Sequence, residues 1–144
     1  MIVTEIDIDL RCEPADVFAL ISDMERNPSW QNGMKSCEWL TDPPHGVGSR
    51  YLQKAEFMRR PIDSTFEVIE FEAGRCIKAT TVESTFPITF TRRVTPIGDG
   101  MSRVQALIEG DSSGVFRIME PLLAPLVRRS IRADYRRLKE LCEA

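Results

Sequence analysis

The chain has 144 residues, of which 42% are hydrophobic and 28% charged, with a formal net charge of -3. That length fits one domain, residues 1 to 144, able to bury about two-thirds of its unfolded surface, and the composition excludes a disordered chain. The acidic balance, without basic residues interleaved among aromatics, argues against nucleic acid as a partner, and no window approaches the roughly 18 consecutive apolar residues of a membrane span.

The first segment, Ile2 to Leu10, alternates almost strictly, with Ile2, Ile6, Ile8 and Leu10 on one face and Glu5, Asp7 and Asp9 on the other. This is the pattern of a half-buried antiparallel strand. Glu13-Pro14 then opens a helix with proline at its first position, and Val17, Phe18 and Ile21 give it an apolar stripe. Asp23 to Gln31 reads as a second short turn or helix, interrupted at Pro28.

From Met34 to Ser113, β-rich stretches are separated by turn signals at Asp42 to Gly46, Arg60-Pro61, Glu72 to Gly74, Phe86-Pro87 and Gly98 to Gly100. These breaks predict six strands joined as a meander of hairpins, too closely spaced for helical crossovers. Parity assigns inner faces to Tyr51, Gln53, Ala55 and Phe57; to Phe66 and Val68; to Ile77, Ala79 and Thr81; to Phe90, Arg92 and Val94; and to Val104, Ala106 and Ile108.

Gly114 to Glu143 is expected to be largely helical, with an irregular or kinked start at Pro121 and Pro125. From Leu126 onward, Val127, Ile131, Tyr135, Leu138 and Leu141 recur every three or four residues and predict an amphipathic helix of about four turns. Residues 1 to 113 carry 12 Lys/Arg against 18 Asp/Glu, net -6, while residues 114 to 144 carry 7 against 4, net +3. On the helix, Arg128, Arg132, Arg136 and Lys139 form one basic stripe, which reads first as a solvated face and second as a surface for anionic headgroups at a membrane periphery or for an acidic protein.

Cys12, Cys37, Cys76 and Cys142 form no CxxC pair, and the single histidine, His45, sits between Pro44 and Gly46. Neither a metal nor another cofactor is expected, since zinc requires clustered ligands. The acidic segment after Met1 has no basic stretch followed by an apolar run, so a cytoplasmic protein with reduced thiols is expected.

The order of elements and the residues at its joints resemble the START-like (SRPBCC) superfamily, particularly its polyketide cyclase/dehydrase and lipid-transport branch. The residues that carry the resemblance are Ile8 through Phe18, Asp23 followed by Trp30, Val47-Gly48, Phe66 through Arg75, Gly98 through Val104, and Pro121-Leu122-Leu123 leading to Leu138 through Leu141. It implies an α+β helix-grip fold: a curved seven-stranded antiparallel sheet wrapped around a long C-terminal helix, with two short helices after the first strand. A cavity is implied between sheet and helix. Many relatives carry Gly-Thr-Arg before the last strand, where this chain has Gly100-Met101-Ser102-Arg103, so Ser102 is the residue to supply the hydroxyl.

Within such a cavity, Trp30, Tyr51, Gln53, Phe57, Phe66, Thr81, Phe90, Arg92, Leu126 and Ser130 are the expected ligand-binding residues. Buried polar groups need partners, which a guest's carbonyl, hydroxyl or carboxylate supplies as well as protein or water does. A cyclase would need a tuned acid or base. His45 lies in a turn, Glu67 falls on the outer face, Glu70 shares the inner parity near a strand end, and Asp134 either enters the cavity or pairs with Arg137. No catalytic pair is evident. The reading is a carrier for an apolar molecule such as a lipid, polyketide or isoprenoid; a cyclase/dehydratase-like enzyme and an interaction module on the basic helix are the alternatives. Oligomeric state is left open.

Overall fold

Alternation in the first segment produces β1, Ile2–Leu10, with Ile2, Thr4, Ile6 and Leu10 buried and the acidic residues between them exposed. The computed structural model describes residues 1–111 and 115–144, so the expected strand end at Ser113 and helix start at Gly114 lie outside the described residues. Helix α1, Pro14–Ser22, begins with proline where no backbone donor is needed, and its first turn closes through Val17 N–H to the Glu13 carbonyl at 3.1 Å. It buries Val17, Phe18, Leu20 and Ile21. A 3-10 turn, Met24–Ser29, follows and contains Pro28; the Asp23 carboxylate accepts from Glu25 N–H at its start.

Six further strands are β2 (Met34–Trp39), β3 (Arg50–Phe57), β4 (Arg60–Glu72), β5 (Cys76–Ser84), β6 (Ile88–Gly98) and β7 (Met101–Gly110). They form one antiparallel sheet in the order β1-β7-β6-β5-β4-β3-β2. The sheet curls around helix α2, Val115–Glu143, giving the helix-grip architecture. The inner faces assigned by parity point into the fold: Tyr51, Gln53, Phe66, Val68, Ile77, Ala79, Phe90, Arg92, Val94, Val104 and Ala106 are all buried.

Three expectations need correction. The β3–β4 turn lies at Met58-Arg59, with Arg60 already paired to Phe57, because both turn residues adopt left-handed φ (52° and 65°) and close a two-residue loop. Helix α2 runs without a break through Pro121 and Pro125. Both prolines are exposed, as are Arg117 and Pro121, four residues before each, so the carbonyls that lose an amide partner can be hydrated. Leu141 is 42% exposed and leaves the apolar stripe, while Cys142 packs on the core instead.

The basic stripe has a structural role at the sheet edge. β1 is an edge strand, and its Val3 and Asp9 carbonyls accept from Arg128 Nε at 2.9 Å and Lys139 Nζ at 3.0 Å. Helix α2 thereby covers backbone acceptors that an uncovered edge would offer to another chain. At the far end of β1, the Ser102 hydroxyl donates to the Cys12 carbonyl at 2.5 Å, tying the start of β7 to the residues after β1.

Candidate functional site

At one end of the grip, the last turns of several hairpins and the first half of α2 leave a cavity of about 420 Å³. Its wall takes Phe57 from β3, Ile62 from β4, Ile88 from β6 and Ile2 from β1, with Phe86 from the β5–β6 turn. Leu123, Val127, Ser130 and Ile131 close it from α2. The spacing of four, three and one along the helix puts these four on one side. Among the described residues, no carboxylate and no histidine lines it; Arg60, Thr85 and Ser130 bring the side-chain polar atoms.

Deeper along the same strands the inner face becomes polar. Gln53 pairs across from Ser64, whose hydroxyl lies 2.6 Å from that of Ser84. Beyond them, Tyr51 stacks on Phe66 at 5.0 Å, Phe66 meets Phe90 edge-on at 5.7 Å, and the Arg92 guanidinium lies 4.5 Å over Phe90 and 4.8 Å over Trp30. Arg92 is buried and donates to the Ile21 carbonyl at 2.8 Å and to Asn27 Oδ1 at 3.1 Å. A cation inside a protein requires such partners, and the two ring faces add attraction.

Three donors in this layer, the Tyr51 hydroxyl, Trp30 Nε1 and Arg92 Nε, are buried without a hydrogen-bond partner among the described residues. Burial pushes the Tyr51 phenol far above its ordinary value, with Arg92 opposing, so it is a proton donor and not a base near neutrality. Tyr135 is raised for the same reason and in part held down by Arg92. The Cys37 thiol, buried beside Asn27, is pushed up to about 11.

The residues singled out in the sequence therefore separate into three groups. Phe57 and Ser130 line the cavity. Trp30, Tyr51, Gln53, Phe66, Phe90 and Arg92 form the deeper layer, while Thr81 spends its hydroxyl accepting from Ile88 N–H at 3.1 Å to close the β5–β6 hairpin. Leu126 is displaced from the site: it is 49% exposed, because the helix face toward the cavity passes through Leu123, Val127 and Ile131. Ile2, Ile62, Phe86, Ile88 and Leu123 are among the wall residues not expected at the site, although strand parity already sets Ile2 on the face of Ile6 and helical spacing from Val127 reaches Leu123.

The candidate acids and bases lie elsewhere. His45 stacks on Trp39 at 3.9 Å, its Nε2 3.2 Å from the Thr41 carbonyl. Glu67 accepts from Arg50 Nε at 2.9 Å on the outer face. A register shift between Val68 and Glu70 breaks the parity that placed Glu70 inside; it is exposed, beside a shallow charged depression on the outer face that also touches Glu5, Asp7, Lys78 and Arg93. Asp134 is buried, accepting from Asn32 N–H at 2.9 Å and from Arg137.

These features meet a family pattern. Residues 1–143 match that of "Polyketide cyclase / dehydrase and lipid transport". The chain belongs to this family. No curated protein sequence matches it. Among solved structures, this family member is similar to a START superfamily protein from Mycobacterium smegmatis, with a TM-score of 0.82 at 15% identity, covering 99% of this chain and 98% of that one. It is also similar to a Thermus thermophilus protein, with a TM-score of 0.81 at 18% identity over 96% and 94% of the two chains. A Streptomyces aromatase/cyclase, Zhui, aligns with a TM-score of 0.80 at 11% identity over 98% and 93%. TM-scores this high at identities this low show a shared fold alone for the family member, the helix-grip form expected from the sequence.

Proposed function

We propose that this family member binds an apolar small molecule, of lipid, polyketide or isoprenoid type, between the sheet and α2. The observation that carries the reading is the cavity of about 420 Å³ walled chiefly by Ile, Leu, Val and Phe side chains. Cavities of about 300 to 1,000 Å³ with mostly apolar walls and few polar groups are typical of small-molecule sites. The unpartnered donors of the deeper layer, on Tyr51, Trp30 and Arg92, do not line this cavity, so the polar contacts of its wall to a guest come from Arg60, Thr85 and Ser130.

A cyclase or dehydratase reading draws on the same three donors, since donors that converge on one oxygen would stabilise developing negative charge, but none of the three lines the cavity. It is the weaker reading. Enolisation also needs a base, and among the described residues the cavity wall has neither carboxylate nor histidine while Tyr51 holds its proton. Holding a molecule asks less of this geometry than transforming one.

Native mass spectrometry of the purified chain, before and after incubation with a fluorescent fatty acid, tests the proposal. Stoichiometric uptake, competed by unlabelled apolar carboxylic acids, is the expected result. A chain that takes up neither this probe nor an uncharged apolar one would overturn it.

A further inference from the structure

Helix α2 turns a bare apolar ridge to solvent beside the cavity. Ile118 is 83% exposed, Leu122 73% and Leu126 49%, and the exposed Pro121 and Pro125 lie among them. At 100° per residue, Ile118, Leu122, Pro125 and Arg129 fall within about 60° of one another, so they form one continuous line on the outer side of the helix. A single exposed leucine needs no explanation, but a contiguous apolar strip marks a contact surface. Farther along the same line the side chains become cationic: Arg129, Arg132 and Arg136 are all exposed.

Charge selects the occupant. Up to Arg132, the described part of α2 carries Arg117, Arg128, Arg129 and Arg132 against Glu120, and Glu120 is itself engaged by the Met1 amino group at 2.7 Å. Across the cavity, the β3–β4 turn adds Arg59 and Arg60 beside the 62% exposed Met58. A second copy would set this cationic surface against its like, which is repulsive. The first 113 residues carry net -6 and the remainder net +3, so a negative plane attracts the helix and turns the body away. Apolar side chains in line with arginines are the chemistry of a helix lying in the headgroup region of an anionic bilayer.

We infer that the N-terminal half of α2, with the Met58-Arg59 turn, docks on anionic lipid bilayers, Ile118 and Leu122 entering the acyl boundary and Arg117, Arg129 and Arg132 meeting headgroups. Leu123 and Val127 line the cavity from the opposite side of the helix, so docking leaves α2 between the bilayer and the cavity. The inference stands apart from what the cavity holds.

Co-sedimentation of the full chain with phosphatidylcholine vesicles, with and without roughly a quarter phosphatidylglycerol, is the test. Binding should be at least about tenfold tighter to the anionic vesicles and should weaken in ~0.5 M salt, where charges are screened. The double variant Ile118→Asp/Leu122→Asp should lose at least about tenfold in anionic-vesicle binding, with thermal midpoint and fatty-acid uptake unchanged because both positions are exposed. Arg129→Glu/Arg132→Glu should lose it as well. The inference is overturned by failure of the wild type to bind anionic vesicles, by equal binding to both vesicle types, or by ridge variants that bind like the wild type. It is overturned too if sedimentation velocity shows a dimer that Ile118→Asp/Leu122→Asp converts to monomer, since the ridge would then belong to a second copy.

Discussion

Arg92 on β6 donates a 2.8 Å hydrogen bond to the carbonyl of Ile21, 71 residues earlier, tying the centre of the sheet to the last turn of α1. The same side chain separates the rings of Trp30 and Phe90 and so sets the floor of the grip. Because α1 ends there, its final carbonyls have no helical partner of their own.

Arg92→Met keeps much of the side-chain volume but leaves the Ile21 carbonyl and Asn27 Oδ1 without their donor. The expected loss of stability is about 2 to 4 kcal/mol, as for buried hydrogen bonds to a charged group. Urea unfolding measures it. A loss below about 0.5 kcal/mol would mean that the guanidinium contributes nothing net once its own desolvation is counted.

Val127 lines the cavity and is only half-buried, so the larger ring in Val127→Trp fits by occupying space that a guest would use. Uptake of a fluorescent fatty acid should fall at least about tenfold, with at most about 1 to 3 kcal/mol lost from overpacking. Unchanged uptake would move the ligand to another part of the grip.

Two carboxyls should respond to pH in opposite directions. Burial raises Asp134 above its ordinary 3.8, with the Asn32 amide and Arg137 opposing. Its contribution favours the folded state below that ordinary value and is lost as pH rises through the raised one. Asp9 is lowered, chiefly by its hydrogen bond to Arg103, so its contribution is present above the ordinary value and lost as pH falls through the lowered one. In a series from about pH 2 to 7, Asp134→Asn should therefore gain stability relative to wild type as pH rises above about 4, whereas Asp9→Asn, screened by solvent, should lose it as pH rises from about 2 to 4. Urea midpoints across that range that drift in the same direction for both variants would contradict this assignment.

The left-handed Met58 and Arg59 suit residues without a β-carbon penalty. Replacing the pair by Asn-Gly should stabilise the chain by about 1 kcal/mol, since that dipeptide favours a two-residue hairpin turn. A fall in the thermal midpoint would mean that the Met58 and Arg59 side chains hold the turn through contacts of their own.

Much of the fold was legible because a strand has a period of two. One parity rule placed Tyr51 and Gln53, Phe66 and Val68, and Phe90, Arg92 and Val94 on the concave face, and all are buried. The rule failed at Glu70, where the register shift after Val68 turns the glutamate out and lets Phe71 meet Phe18 at 5.8 Å. A bulge adds a residue without leaving a mark that alternation can reveal. Leu126 failed differently: a helix of alternating turns of apolar residues has two apolar sides, and only packing tells which one faces the sheet.

Sequence alone determined the number of strands, their meander, the inward faces and the helix that completes the grip, since each depends on local periodicity and turn chemistry. Tertiary structure decided where the cavity lies and what Arg92, Asp134 and the basic stripe do. Arg92 meets Ile21 and Asn27, Asp134 meets Asn32, and Arg128 meets Val3 across separations of 65 to 125 residues. Such partners are set by how distant segments pack, and no local pattern encodes the distance between them.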